Sequence, residues 1–413
     1  MPPPAARPAL ITPVLVAGSV VIMVSFAIRA SFGVFQIPIG QEFGWPRAEF
    51  SLAIAIQNLA WGIGQPVFAA LAERFGDRKA IVAGAVLYAA GLVLTAYATS
   101  PLTMQALEVF VGFGVAGTGF GVILAVVGRA ASARNRSMAL AVATAAGSAG
   151  QVIGPPVAEA LLGPIGWQGV FVVFAAAILA VLAVLPALRV AEAESVEVAE
   201  TMRQILGRAV RDPSYALIFV GFFACGYQLG FITAHFPALV TEMSAAVAPT
   251  GALAALGVGD TAALGALAIG VIGLANIAGT LTAGWLGNLF ARKYLLSGIY
   301  AARTVVAAAF ILLPITPGSV LAFSVLMGVL WLATVPLTAG LVGHLYGLRY
   351  MGTLYGVVFF SHQLGSFLGV WLGGELYDAY GTYTLVWWIG VGVGAFSAIV
   401  HLPIREVRVP LPA

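Results

Sequence analysis

The sequence predicts an all-α membrane protein whose twelve transmembrane helices form two six-helix pseudo-symmetric bundles. Three observations support this fold class: an apolar composition, twelve apolar runs of helical length and a weak repeat between the two halves. Of the 413 residues, 61% are apolar and only 8% are charged, whereas a soluble domain is about half apolar and about a quarter charged. A soluble interior could not enclose so much apolar surface. The lipid bilayer is therefore the expected solvent.

The apolar runs have the length of membrane-spanning helices. Residues 10–28 and 167–188 are each apolar over about one crossing, since about 20 helical residues span a core of about 30 Å. Barrel strands would instead alternate between apolar and polar residues. Helices also satisfy their own backbone groups in lipid. The predicted spans are 10–36, 49–70, 79–98, 102–128, 137–163, 167–188, 213–240, 260–287, 294–315, 317–345, 350–376 and 382–404.

Charged residues orient the spans and divide the chain. With the amino terminus inside, 16 of the 19 Lys and Arg residues fall in cytoplasmic segments, as basic loops do in membrane proteins. The long charged segment 189–212 is expected to be a cytoplasmic linker that forms a surface helix. It separates an amino-terminal bundle, 1–188, from a carboxy-terminal bundle, 213–413. Both termini are expected in the cytoplasm, and the low charge with many Ala and Gly residues indicates a bacterial inner membrane.

Several classes of function are excluded by what the sequence lacks. The net charge of +3 is too small and dispersed for nucleic acid binding, and the single cysteine, Cys225, cannot form an internal disulfide. A GxxxxGK[ST] phosphate loop is absent, which excludes ATP-driven transport by this chain. We expect no enzymatic activity, no cofactor and no metal. A sensor or intramembrane enzyme would need a signalling domain or a catalytic constellation, and neither is present. A monomer in contact with membrane lipid is expected.

A weak internal repeat relates the two halves. FGVFQIPI at 32–39 aligns with FITAHFPA at 231–238 with an offset of 199 residues, and AALAERFGDRK at 69–79 aligns with GWLGNLFARK at 284–293 with an offset of 215. Transporters are often built from such duplicated bundles, with the binding site between them. The second offset also relates two glycine pairs between spans five and eleven, namely Gly150 with Gly365 and Gly154 with Gly369.

The loop after span two carries a recognisable motif. Its sequence A-x-L-A-E-R-F-G-D-R-K at 69–79 resembles the G-x-L-A-D-R-x-G-x-R-K loop of the major facilitator superfamily. Three further segments are similar to the monocarboxylate porter and oxalate:formate antiporter branch: SFGVFQIPIGQEFGWPRAEFSLA (31–53), NRSMALAVATAAGSAGQ (135–151) and SHQLGSFLGVWLGG (361–374). In span eight, Asn276 and Thr280 stand where animal porters of this branch carry Asp and Arg.

This resemblance implies a secondary transporter that works by alternating access. The expected substrate is a small organic anion such as a monocarboxylate, moved as a proton symporter. The acidic and basic residues of the loop motif would form a charge lock at the cytoplasmic gate that inward opening must break. These gate residues are Glu73, Arg74, Arg78 and Lys79.

Polar residues in spans one and seven are the first candidates for the substrate path. A charged side chain at mid-bilayer is costly and therefore marks a site. Arg29 lies deep in span one, with Gln36 seven residues later on the same face. Their repeat partners in span seven are Gln228 and His235. If these spans line the central cavity, Arg29 would bind a carboxylate. The alternative is that Arg29 snorkels outward or binds helix carbonyls.

Other spans supply further candidates. His362 and Gln363 in span eleven and Asn276 in span eight are expected to contact substrate, although His362 could equally form a helix–helix hydrogen bond. Gln57 and Asn58 are neutral residues that could line the path. Arg303, deep in span nine, is expected to brace neighbouring helices.

Glu108 is the candidate proton-coupling residue. It lies about seven residues into span four, and a desolvated carboxylate there would bind and release a proton near neutral pH. The alternative is an interfacial carboxylate that water reaches, since seven helical residues cover only about 10 Å.

A second function is open at this point. An exporter of apolar compounds or drugs is favoured by the apolar and aromatic lining and by the missing arginine in span eight. That function predicts that a neutral substitution of Arg29 is tolerated, whereas anion transport predicts that it is not.

Overall fold

The structure, a computed structural model, describes residues 10–132, 136–188, 202–287, 289–347 and 351–407, and every regular element in these ranges is helical. The first six segments of spanning length are α1 (Pro13–Phe43), α2 (Arg47–Phe75), α3 (Asp77–Thr95), α4 (Pro101–Ala130), α5 (136–165) and α6 (167–187). The second six are α7 (Pro213–Met243), α8 (Thr261–Leu286), α9 (Arg292–Leu312), α10 (Pro317–Tyr346), α11 (Met351–Tyr380) and α12 (Thr384–Val400).

Length and hydropathy alone identify nine candidate spans within the described ranges. One of these, Met138–Ala187, contains 50 residues and is long enough to cross twice. It bends at Gly166, whose φ of 67° favours glycine, and so forms both α5 and α6. The 29-residue α2 and the 17-residue α12 complete the twelve.

Several spans begin with the same local signal. A Ser, Thr or Asp side chain accepts a hydrogen bond from a first-turn N–H group, and in most of them proline follows at the first helical position. These caps are Thr12, Ser100, Asp212, Asp260 and Thr316, at the starts of α1, α4, α7, α8 and α10. They satisfy donors where the chain enters lipid.

Span one is longer than predicted. We expected it to end at residue 36, but the helical segment continues to Phe43 and stops at Gly44, which has a φ of 65°. Pro38 does not break it, because residues 32–35 form a 3-10 turn just before it. Because of this extension, Gln36 lies within the helical segment, on the side of α1 that leads to the start of α2.

Glycines set the packing within each bundle. A Cβ atom on any of four glycines would come within 2.1 to 2.3 Å of a backbone oxygen on the facing helix, so only glycine fits. The pairs are Gly150 with Met23, Gly154 with Ala27, Gly365 with Phe223 and Gly369 with Tyr227. The α5–α1 and α11–α7 contacts are therefore equivalent, as the glycine pairing in the sequence predicted.

This equivalence corrects the register of the repeat. The facing residues Met23 and Phe223 differ by 200 positions, not by the 199 of the sequence alignment. Counting 200 positions from α1 to α7, the residue of α7 that is equivalent to Arg29 is Leu229, and the residue equivalent to Ile28 is Gln228.

The two bundles meet along α2 with α11, α5 with α8, and α1 with α7. We name the two ends of the molecule for what they carry. The linker face carries the linker helix, Met202–Arg211, and the opposite end, where α2 begins, is the Arg47 face. Large apolar side chains remain exposed around the bundle, as expected of a lipid-facing surface; they include Val86, Val305, Leu326 and Phe396.

The linker helix is amphipathic, as predicted for the end of the charged segment. Ile205 and Ala209 are buried, whereas Arg203 and Arg211 are exposed. Residues 189–201 of the predicted linker lie outside the described residues.

Membrane orientation can be tested with two matched cysteines. Among the described residues, nothing lies within 4 Å of a Cβ added at Gly163 on the Arg47 face or at Gly207 on the linker face. In a Cys225→Ala background, an impermeant maleimide added to intact cells should label Gly163→Cys. Gly207→Cys should be labelled only after the membrane is permeabilised. The reverse pattern would contradict cytoplasmic termini.

Candidate functional site

A small cavity lies between the bundles where α1, α2 and α7 meet. Its volume of about 10 Å³ has room for about one water molecule. The amino-terminal bundle contributes the larger polar side chains of the wall, and α7 contributes small residues, one of them the polar Thr233. The lining includes Arg29, Gln57, Asn58, Gly230, Thr233 and Ala234.

Arg29 is the charged residue of this cavity. It lies 16 residues after Pro13, or about 24 Å along the helix, and is only 9% exposed. Its Nη2 atom donates to Asn58 Oδ1 at 3.2 Å, and its guanidinium lies 4.8 Å from the centre of the Trp61 ring. Its Nε–H is buried and has no hydrogen-bond partner among the described residues. The cavity therefore presents a cation without a carboxylate partner in that part of the chain.

A polar chain connects Arg29 to α11 in the other bundle. Gln363 Nε2 donates to the backbone oxygen of Asn58 at 3.2 Å. His362 Nδ1 lies 2.9 Å from Gln363 Oε1, and because an amide oxygen only accepts, Nδ1 carries the proton. Arg29, His362 and Gln363, three of the predicted site residues, are thus joined through Asn58.

Gln36 and His235 form a second cross-bundle group nearer the Arg47 face. Gln36 Nε2 donates to His235 Nδ1 at 3.2 Å, and His235 Nε2–H donates to the backbone oxygen of Val370 at 2.7 Å. Tyr383 donates to Gln36 Oε1 at 3.3 Å. The two residues face each other from opposite bundles, as expected, but they bond to each other rather than line the described cavity.

Arg47 closes the Arg47 face between the two bundles. It forms a salt bridge with Glu242 on α7, donates from Nη1 to Tyr383 at 2.6 Å and lies 3.8 Å from the centre of the Tyr377 ring. The carboxylate of Asp378 accepts the backbone N–H groups of Arg47 and Ala48 at 3.1 and 2.7 Å, which places an anion at the N-terminus of α2. We call Arg47, Glu242, Asp378, Tyr377 and Tyr383 the Arg47 cluster.

Sequence reasoning missed the Arg47 cluster. A signal was present, since Arg47 is the only basic residue in a predicted outside loop. Its partners are 195 to 336 residues away in the sequence, so spacing could not identify them.

Two predicted substrate contacts have other roles in this conformation. Gln228 donates to the Gly390 oxygen of α12 at 3.0 Å; it does not line the cavity because the packing register differs by one residue from the alignment. Asn276 Nδ2 donates to Ser148 on α5 at 2.8 Å, and its Oδ1 accepts the Leu332 N–H at 2.9 Å. Asn276 therefore connects the bundles and supports a break in α10 between Leu330 and Thr334.

Glu108 is fully buried between α4 and α2. Gln57 Nε2 donates to its Oε2 atom at 2.7 Å, and its Oε1 atom has no partner among the described residues. The alternative of an interfacial carboxylate that water reaches is wrong. That alternative was based on the depth of Glu108 along its own helix, but neighbouring helices cover the side chain.

The basic cluster on the linker face contacts its own bundle. Arg78 donates to the backbone oxygens of Pro186 and Leu188 at 2.8 and 3.0 Å, whereas Arg74 and Lys79 are exposed. The side chain of Glu73 lies outside the described residues. The charge lock of these residues at the cytoplasmic gate stays a prediction.

The Arg47 cluster yields a test of gating. Arg47→Gln should loosen the Arg47 face, because it removes the charge that pairs with Glu242 and lies against Tyr377. In a Cys225→Ala, Thr233→Cys background, an impermeant maleimide applied from the Arg47 face should then reach the cavity several-fold faster. The charge-swapped pair Arg47→Glu with Glu242→Arg should recover part of the protection. Equal labelling with and without Arg47→Gln would contradict this role.

Comparisons with known proteins agree with the architecture. The sequence matches the Major Facilitator Superfamily over residues 18–370. It is 26% identical to the uncharacterized MFS-type transporter YcxA of Bacillus subtilis (strain 168), covering 91% of this chain and 90% of that protein. It is also 26% identical to monocarboxylate transporter 13 of Bos taurus, with 87% and 81% covered.

A solved structure shows the same fold. The crystal structure of a D-xylose-proton symporter superposes with a TM-score of 0.70 over 96% of this chain and 99% of that one, at 15% identity. Together with the twelve helices and the family match, this establishes that the chain belongs to the major facilitator superfamily and is a membrane transporter.

Proposed function

We propose that the chain is a secondary transporter that moves a small organic anion of the monocarboxylate kind by alternating access, coupled to protons. The observation that carries the proposal is Arg29. It is a buried cation in the wall of the inter-bundle cavity, with an unpaired Nε–H and no carboxylate partner among the described residues.

The cost of burying Arg29 supports a binding role. An arginine at mid-bilayer costs about 2.5 to 3.5 kcal/mol on insertion scales, and an unsatisfied buried donor adds about 1 to 3 kcal/mol. A substrate carboxylate would satisfy the free donor with a charge-assisted hydrogen bond. Arg303, by contrast, does not line the cavity. Its Nε and Nη2 donate to the backbone oxygens of Leu330 and Trp331, as expected of a bracing residue, although its Nη1 has no partner among the described residues.

The relatives support the same substrate class and coupling. One is named a monocarboxylate transporter and the solved neighbour a proton symporter. In this chain Glu108 is the proposed proton site, because it is buried without a cationic partner among the described residues and retains a free oxygen.

Alternating access follows from where the bundles are joined. The Arg47 cluster and the Gln36–His235 pair close the path on the Arg47 face. The substrate is proposed to reach Arg29 from that face when these contacts break, and from the linker face when the inter-bundle contacts on that side break. We place the protein in a bacterial inner membrane as a monomer with cytoplasmic termini.

The proposal is tested by ligand-induced thermal stabilisation of the purified protein. A panel of small carboxylates, including lactate, pyruvate and benzoate, is compared with their neutral amides. A ligand at one hundred times its Kd stabilises the protein by about 2.7 kcal/mol. Arg29→Gln should weaken carboxylate binding at least tenfold, since a hydrogen bond to a charged group contributes about 1.5 to 3 kcal/mol.

Arg211→Gln is the control, because Arg211 is an exposed arginine on the linker helix and does not line the cavity. It should bind carboxylates like the wild type. If apolar compounds stabilise wild type and Arg29→Gln equally and no carboxylate stabilises either, the anion proposal fails and an exporter of apolar compounds takes its place.

A further inference from the structure

Gln57 touches both the proposed anion site and the proposed proton site. It lies in the cavity wall beside Arg29, and its Nε2 atom donates to Glu108 Oε2 at 2.7 Å. It is only 2% exposed, and Glu108 is not exposed at all. The amide of one side chain therefore separates the cavity from the carboxyl group.

Among the described residues, few groups other than Gln57 could connect the Glu108 carboxyl to the cavity. The titratable and charged groups on the helices that pack against this part of α4 include Arg29 on α1, Tyr88 on α3 and Glu49 on α2. The Tyr88 hydroxyl donates to the Ser25 oxygen of α1 at 3.3 Å, and Glu49 accepts from Gln105 at 2.6 Å. The bundle helix α5 and the cross-bundle helix α11 meet α4 mainly beyond Gly119. In the described structure, only Gln57 is hydrogen-bonded to the Glu108 carboxyl.

We infer that Gln57 is the coupling residue, and that its amide reports the protonation of Glu108 to the anion site. This inference rests on the proposed function. When Glu108 is ionised, it accepts the Gln57 Nε2–H, which is the arrangement described. When Glu108 binds a proton, its O–H donates to Gln57 Oε1 after the amide rotates by half a turn. The hydrogen bond between the two side chains is kept in both states.

The rotation changes what the cavity wall presents. In the protonated state the Gln57 NH₂ group turns to the cavity beside Arg29, where it can donate to a carboxylate. Protonation also removes the negative charge of Glu108 from the neighbourhood of the anion. Both effects favour anion binding to the protonated protein.

The sign of the pH dependence follows from linkage. Because the anion binds better to the protonated form, the proton must also bind better when the anion is present. Carboxylate affinity should therefore rise as pH falls through the titration of Glu108, and binding should take up a proton.

The experiment measures carboxylate affinity and proton uptake by calorimetry between pH 5.5 and 8, in buffers of different ionisation enthalpy. Lactate, pyruvate and benzoate serve as probes. Wild-type affinity should rise about tenfold towards low pH, a coupling of ordinary size. Gln57→Leu should still bind through Arg29, but with a smaller pH effect and less proton uptake than the wild type, because only the charge of Glu108, and no longer the amide rotation, then links the two sites. Glu108→Gln, which keeps a partner for Gln57, should bind independently of pH with the wild-type affinity of low pH.

Gln105→Leu is the matched control. Gln105 is also a buried glutamine bonded to a carboxylate, but its partner is Glu49. The carboxylate affinity of Gln105→Leu should depend on pH in the same way as that of the wild type. If Gln57→Leu or Glu108→Gln keeps the wild-type pH dependence, or if wild-type affinity does not change with pH, the coupling role is overturned while anion binding stands. If wild type binds no carboxylate at any pH, the proposed function itself has failed.

Discussion

The absence of water from the bilayer core is the constraint on which this structure depends. Every buried polar group must find its partner within the protein, and each one that does not costs about 1 to 3 kcal/mol. The break in α10 shows the constraint being met. Arg303 donates to the oxygens of Leu330 and Trp331, and Asn276 accepts the N–H of Leu332. A backbone interruption that would be unstable in lipid is thus stabilised by side chains of α9 and α8.

The same constraint applies to the buried charged side chains. Arg29 and Arg303 are both buried arginines and look alike in sequence. Arg303 is directed at two backbone oxygens, whereas Arg29 has one side-chain hydrogen bond and an unpaired Nε–H in the cavity. Glu108 likewise has a free oxygen. Arg303 also keeps a buried Nη1 without a partner among the described residues, so incomplete satisfaction alone does not indicate a ligand. The position of Arg29 in the wall of a cavity between the two bundles is what favours a ligand there.

The sequence was sufficient for the fold because composition, span length and repeated glycines each report on the bilayer or on close helix packing. It also proposed Arg29, His362 and Gln363 as site residues; the structure joins them through Asn58, and their contact with substrate stays a prediction. It failed for Gln228, since a shift of one residue turns a helical side chain by about 100° and the alignment could not detect the true register. It also missed the Arg47 cluster, whose members come from α2, α7, α11 and the start of α12.

The kind of contact between the bundles explains how they can separate. Among the described residues, the hydrogen bonds between the bundles all involve side chains or helix ends, as in Gln36–His235, Gln363–Asn58 and Asn276–Ser148. Glycines such as Gly62, Gly273 and Gly374 lie at the same surface, and Trp61 packs there against Phe359 of the other bundle, with ring centres 5.1 Å apart. When Asn276 releases Ser148, its bond to Leu332 remains within the carboxy-terminal bundle. Rocking therefore breaks polar contacts that water can replace in an open cavity, and it leaves the internal packing of each bundle intact.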